Sequence, residues 1–254
     1  MKLHVVPARQ GVLWVKQGVR TFFRQPLAMV GQFFMFVAAV SVLSLLPVVG
    51  PMLGIILVPA ATVGLMAASR DAHAGRFPMP AVLISAFRSG PVATRGVLTL
   101  GVLYLAGFAL VLGLTYLVDG GTFFNIYLGR EPLTEAAITQ GGLGTSSLLF
   151  LALYLPLTLM FWHAPALTVW HGVPPTKSVF FSAVACLRNF WAMTVYSMTW
   201  TAFLITVLSM VGMIGGAMGG PQAVMGMLYP VGTIMAAVFF TSIYFTFADS
   251  FEID

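Results

Sequence analysis

A chain of 254 residues that is 59% hydrophobic and only 7% charged cannot be an ordinary soluble domain, where charged residues run near about 25%. Its apolar surface must face lipid, which leaves no room for a separate soluble unit and predicts one all-α membrane domain over residues 1–254. The net charge of +5 comes from twelve Lys and Arg against seven Asp and Glu, and the lone Cys186 excludes an internal disulfide and a cysteine-rich zinc site.

Residues Arg9 to Gln25 predict an amphipathic helix. At 100° per residue, Val12, Val15, Val19, Phe22 and Phe23 share one face, and Arg9, Lys16, Arg20 and Arg24 gather on the other. Trp14 falls at the edge, where an indole suits a headgroup boundary. Such a helix lies in the membrane plane, and each basic residue near an anionic leaflet contributes on the order of 1 kcal/mol. Lys2 and these four cations make a leader too long and too interrupted for a signal peptide, so the first span reads as an uncleaved anchor.

From Leu27 to Ala68 there is no Lys, Arg, Asp, Glu or His. The only pause is Pro47-Val48-Val49-Gly50-Pro51, and each flank is long enough to cross a hydrocarbon core of about 30 Å. The predicted spans are 27–46 and 52–69, then 97–118, 147–170, 190–214 and 224–248. In the second, Ala60, Gly64 and Ala68 recur at four-residue spacing and predict close helix packing. Pro80 opens a short helix that ends near Gly90-Pro91, with Val82, Leu83, Ile84 and Phe87 making it interfacial. The longest polar stretch, Asp119 to Ser146, holds an aromatic patch at Phe123, Phe124 and Tyr127 and a short helix from Glu131 to Gln140. His171 to Asn189 returns the chain through Pro174-Pro175, and Gly215 to Pro221 is expected to turn it between the last two spans.

Eleven of the twelve Lys and Arg residues fall in the amino-terminal segment, which holds Lys2 and the first helix, and in the connections after spans two and four; Arg130 is the exception. The positive-inside rule then places both termini in the cytoplasm, in agreement with an even number of spans. Three segments share a form: Thr21-Phe22-Phe23-Arg24-Gln25-Pro26, Ser85-Ala86-Phe87-Arg88-Ser89-Gly90-Pro91, and Ser182 through Arg188-Asn189. Pro59-Ala60-Ala61-Thr62-Val63 also matches Pro165-Ala166-Leu167-Thr168-Val169. These matches predict three hairpins, each introduced by an interfacial cytoplasmic helix, as a threefold internal repeat. On the Phe-Arg-x-Pro entry to span one and the Ser-containing helices before spans three and five, nearly the whole chain resembles a family of six-span bacterial inner-membrane proteins. It is similar in plan to the membrane domain attached to some glycerophosphoryl diester phosphodiesterases. The resemblance implies architecture and location in the inner membrane, and with no counterpart of that catalytic domain it carries over no catalytic residue.

Within these limits no span contains Asp, Glu, Lys or Arg, which argues against carboxylate-coupled proton transport. His163 lies well inside span four, where a packing role is favoured over ligand binding. His73, His171 and Asp71 lack the spacing of a metal site, the Met residues around Met213 read as packing, and no metal or cofactor is expected. Gly212 and Gly216 read either as a tight helix seam or as part of a turn. No nucleophile elbow, phosphate loop or metalloprotease motif occurs. The expectation is a non-enzymatic inner-membrane protein that binds lipid or accompanies a membrane complex. Its contacts would be anionic headgroups, through Arg9, Lys16, Arg20, Arg24, Arg88, Arg95, Lys177 and Arg188, and a membrane-protein partner or a second copy. The apolar face of the first helix favours a lipid surface over nucleic acid. The alternative is a facilitator for a small neutral or apolar solute, lined by Gln32, Ser41, Ser44, Thr158, Thr199, Thr201, Thr206 and Thr241.

Overall fold

The computed structural model describes residues 2–134 and 143–251. It is helical throughout, with one isolated antiparallel bridge between Leu3 and Phe251 among the described residues. Helix α1 (Gln10–Arg24) is followed at Pro26 by α2 (Pro26–Leu43), and Pro at the first helical position costs no hydrogen bond there. A tight turn holding Val48 at φ 64° leads into α3 (Val49–His73). A 3-10 turn (Pro80–Ile84) and the single-turn α4 (Ser85–Arg88) precede α5 (Pro91–Asp119). The short α6 (Thr122–Tyr127) carries the aromatic patch. Then come α7 (Leu143–Trp162), α8 (Ala164–Trp170), α9 (Pro175–Arg188), α10 (Phe190–Gly219) and α11 (Pro221–Ser250).

Six of these segments are long and apolar enough to cross a membrane, with α7 and α8 together forming the fourth. The helices outrun the apolar stretches that predict them. The 30 residues of α10 measure about 45 Å, against a hydrocarbon core of about 30 Å. Consequently Arg70, Asp71, Arg95 and Asp119 belong to helix ends instead of loops.

Three expectations need correction. The glycine-rich turn is confined to Gly220, because Gly215, Gly216 and Gly219 continue α10. Span four is broken at His163, for a reason given below. Glu131 and its next three residues are irregular, and the rest of the short helix expected there, 135–140, lies outside the described residues.

Neighbouring long helices pack in the order of the chain: α2 on α3, α5 on α7, α10 on α11. Between these pairs, α3 packs on α5 and α11 on α2 and α3. The short helices fill the end of the bundle that carries the termini: α1 lies against α11 and α10, the Pro80–Arg88 segment against α3, and α9 against α7 and α8. The core gathers at that end, in α3 from Pro59 to Ala72 and in α11 from Met235 onwards. Helix α3 is its axis, buried along most of its apolar length, whereas α10 is mostly exposed and forms the rim.

The first helix is docked on a face turned only partly away from its hydrophobic pattern. Val15 and Phe22 of the expected apolar face are buried, but Trp14, Gly11, Gly18 and Thr21 are buried with them, while Val12 and Phe23 are exposed. A side chain on Gly11 would collide with the backbone of Ala192 and Tyr196, and one on Gly18 with Ser242. Two glycines thus let α1 settle backbone-close on α10 and α11, and the indole between them turns inward instead of marking a headgroup boundary.

Candidate functional site

The termini are fastened at the core end. The His4 N–H donates to the Ser250 carbonyl at 3.0 Å, and Asn189 ties both segments, accepting from the Val6 N–H at 2.8 Å and donating to the His4 carbonyl at 3.0 Å and to Ser250 Oγ at 3.4 Å. Asp249 accepts from Gln10 Nε2 at 2.6 Å and from Trp14 Nε1 at 2.8 Å. One carboxylate therefore anchors the buried face of α1, and this acid has no cation as its hydrogen-bond partner.

Around this clasp the eight basic residues Arg9, Lys16, Arg20, Arg24, Arg88, Arg95, Lys177 and Arg188 are all exposed. None of them forms an ion pair among the described residues. Arg24 Nη1 donates to the His73 carbonyl at 2.7 Å, which closes the end of α3. Arg76 pairs with Asp71 at 2.6 Å, and Arg70 covers the Trp170 ring at 5.1 Å. The exposed cations thus form an open belt of positive charge on one end of the bundle, with the aromatic side chains of Phe180, Phe190 and Trp191 exposed beside it.

Above the belt, a lateral cleft of about 540 Å³ separates α7 from α10. Leu155, Thr158, Leu159 and Trp162 make one wall, and Met193, Thr194, Ser197 and Thr201 the other. Cys186 of α9 closes the bottom, where burial pushes its thiol from 9.0 up to about 12. The lining is mostly apolar, with hydroxyls at i, i+3 and i+7 along one face of α10. Sequence reasoning missed this cleft; of its hydroxyls, Thr158 and Thr201 were expected to line a solute path.

The hydroxyls of that expected path are turned back onto their own helices. Thr158 donates to the Tyr154 carbonyl, Thr199 to Val195, Thr201 to Ser197, Thr206 to Ala202, Thr241 to Ala237 and Ser44 to Val40. Gln32 is buried and spends both amide hydrogens on the Pro78 and Met79 carbonyls, at 3.1 and 2.8 Å. Ser41 is exposed.

His163 is 1% exposed and packed between Phe247 and Phe251, with ring centroids at 5.8 and 5.5 Å. Its backbone explains the break in span four. Its N–H donates to Ser182 Oγ at 2.9 Å, and that hydroxyl donates to the Leu159 carbonyl at 2.8 Å. A side chain of α9 has entered the i to i−4 ladder two residues before Pro165, whose ring cannot continue it.

Of the packing glycines, Gly64 presses on the backbone of Leu83, flanked by the buried Ala60 and Ala68. Gly212 and Gly216 meet nothing: no atom stands within 4 Å of where their Cβ would be. The α10–α11 seam is made one residue out of phase, by Gly215 against Val224. His73 sits 3.3 Å from the Thr21 hydroxyl and packs on Phe245, while His171 packs on Phe247.

No family model and no solved structure matches this chain. Among curated proteins it is similar to a probable inner membrane protein of Burkholderia thailandensis, with 40% identity over 256 residues, covering 100% of this chain and 95% of that relative. The six apolar helices and this relative together make it an integral, multi-pass membrane protein. The chain belongs to the family of that probable inner membrane protein.

Proposed function

We propose that the protein is a non-enzymatic, lipid-interacting component of the inner membrane, seated with both termini and the basic belt at the cytoplasmic leaflet. The observation that carries this reading is the belt: eight exposed Lys and Arg residues, unpaired among the described residues, collected on the end where the termini meet. Unpaired cations beside exposed aromatic rings match the chemistry of an anionic headgroup layer. The orientation follows the positive-inside rule.

We further infer a plan of three hairpins in cyclic order. The support is that each short helix lies against a hairpin other than the one it introduces: α1 on α11, Pro80–Arg88 on α3, α9 on α7 and α8. In each case the host is the preceding hairpin, if the third is taken to precede the first.

Reconstitution of the full chain with spin-labelled lipids tests the lipid reading. Motionally restricted lipid should be enriched in phosphatidylglycerol over phosphatidylcholine. Replacing Arg9, Lys16, Arg20 and Arg24 with Gln should reduce that preference. Equal partition of the two lipids around the unaltered protein rejects the reading.

A further inference from the structure

In the cyclic plan, the second helix of each hairpin meets the first helix of the next. Two of these three seams are closed. Helix α3 packs on α5, with Gly101 so close to the Ile56 carbonyl that a Cβ would not fit, and α11 packs on α2, with Phe33 and Phe240 at 5.6 Å. The third seam, α7 to α10, makes no comparable contact and is the 540 Å³ cleft. Its size is that of a ligand site, about 300–1,000 Å³.

We propose that this open seam binds one anionic phospholipid, with an acyl chain between α7 and α10 and its phosphate at Arg188. The proposal rests on the lipid-interacting reading and names its occupant. A chain lying there would touch protein on three sides, the walls of α7 and α10 and the floor at Cys186, where a lipid at the outer face of a helix touches one. Charge complementarity selects the headgroup: Arg188 is two residues in sequence from each of two lining residues, Cys186 and Phe190, is exposed outside the lining itself, and forms no ion pair among the described residues. Thr194 and Ser197 follow about 6 and 10 Å beyond Phe190 along α10. That is where the ester groups of a lipid anchored at Arg188 would lie, and neither hydroxyl has a hydrogen-bond partner among the described residues.

Native mass spectrometry of the full chain, released from mild detergent, reads this site directly. The unaltered protein should retain one phospholipid, enriched in phosphatidylglycerol or another anionic class. Ser197→Trp, and separately Ala202→Phe, place bulk in the cleft from exposed positions and should lower that occupancy at least tenfold. Arg188→Gln should reduce the anionic preference of the retained lipid roughly fivefold, the effect of one interfacial cation. The Gln variant of Arg9, Lys16, Arg20 and Arg24 should keep the bound lipid. Unchanged occupancy in both obstructed variants overturns the cleft site, and an anionic preference indifferent to Arg188 overturns the headgroup assignment. Either failure leaves the spin-label preference around the belt intact, whereas failure of the lipid reading removes that preference itself.

Discussion

Ser182 takes the place of a backbone partner for His163: its hydroxyl accepts from the His163 N–H and donates to the Leu159 carbonyl that the N–H would otherwise have met. The break between α7 and α8 is therefore held from outside, by a helix that arrives later in the chain. Ser182→Ala leaves the buried His163 N–H without its partner and the Leu159 carbonyl with only the weak Cys186 thiol at 3.7 Å, and should destabilise the protein by about 1–3 kcal/mol. Thermal unfolding in detergent checks this. A variant with an unchanged midpoint would mean that the ladder closes by itself.

Packing of α1 makes a second, sharper demand. Gly18→Leu must displace the Ser242 backbone, and should cost about 1–3 kcal/mol or detach the helix. Val12→Leu, at an exposed position on the predicted apolar face, should cost nothing measurable. Limited proteolysis near Arg9 and Lys16 would report detachment, and equal behaviour of the two variants would contradict the docking described.

Trp14 and Asp249 give a test by charge. Asp249→Asn keeps one acceptor oxygen but weakens two charge-assisted bonds, and Asp249→Ala removes both, so the second should be the more damaging, by about 1–2 kcal/mol. Intrinsic fluorescence can follow the exposure of the Trp14 indole as α1 loosens.

Gly215 and its neighbours separate a real seam from an apparent one. Gly215→Leu should disrupt the α10–α11 pair, because Val224 occupies the space required. Gly212→Leu and Gly216→Leu should each be tolerated within one subunit, and even stabilise α10 by about 0.5–1 kcal/mol. If the double variant instead lost a cross-linked dimer seen with the unaltered chain, the two glycines would belong to an interface between copies.

Cys186 supplies a pH-dependent readout. With the folded thiol raised from 9.0 to about 12, the neutral form is favoured by folding, so its contribution to stability is intact below pH 9 and is lost as pH rises from 9 towards 12. At pH 8 a maleimide should label Cys186 slowly in the folded protein and rapidly after denaturation. Fast labelling without denaturant would mean that the cleft floor is open.

Hydropathy made the spans legible, because a helix facing lipid needs apolar residues wherever it lies. The uncharged run from Leu27 to Ala68 accordingly appears as α2 and α3, with the turn at 44–48 overlapping only the start of the expected pause, since Val49, Gly50 and Pro51 already belong to α3. The docking of α1 was not legible for a related reason. Amphipathic patterning sorts residues by polarity, and treats Gly11 and Gly18 as neutral when their small size decides the buried face. Trp14 looked interfacial because the acceptor for its indole N–H, Asp249, is distant in sequence. The basic belt could be read from the charges alone. The cleft could not, since it is defined by two helices that fail to meet; the spacing of Thr194, Ser197 and Thr201 was its only trace.

The bond from Trp14 to Asp249 spans 235 residues, which gives assembly of the protein an order in time. At a synthesis rate of about 5–20 residues per second, the first helix waits some tens of seconds before its anchor leaves the ribosome. Through that interval its indole and two glycines have nothing to grip, and the membrane surface or a chaperone must shelter them. A nascent chain arrested just short of Asp249 would have all six spans synthesised and still lack the latch that closes the bundle.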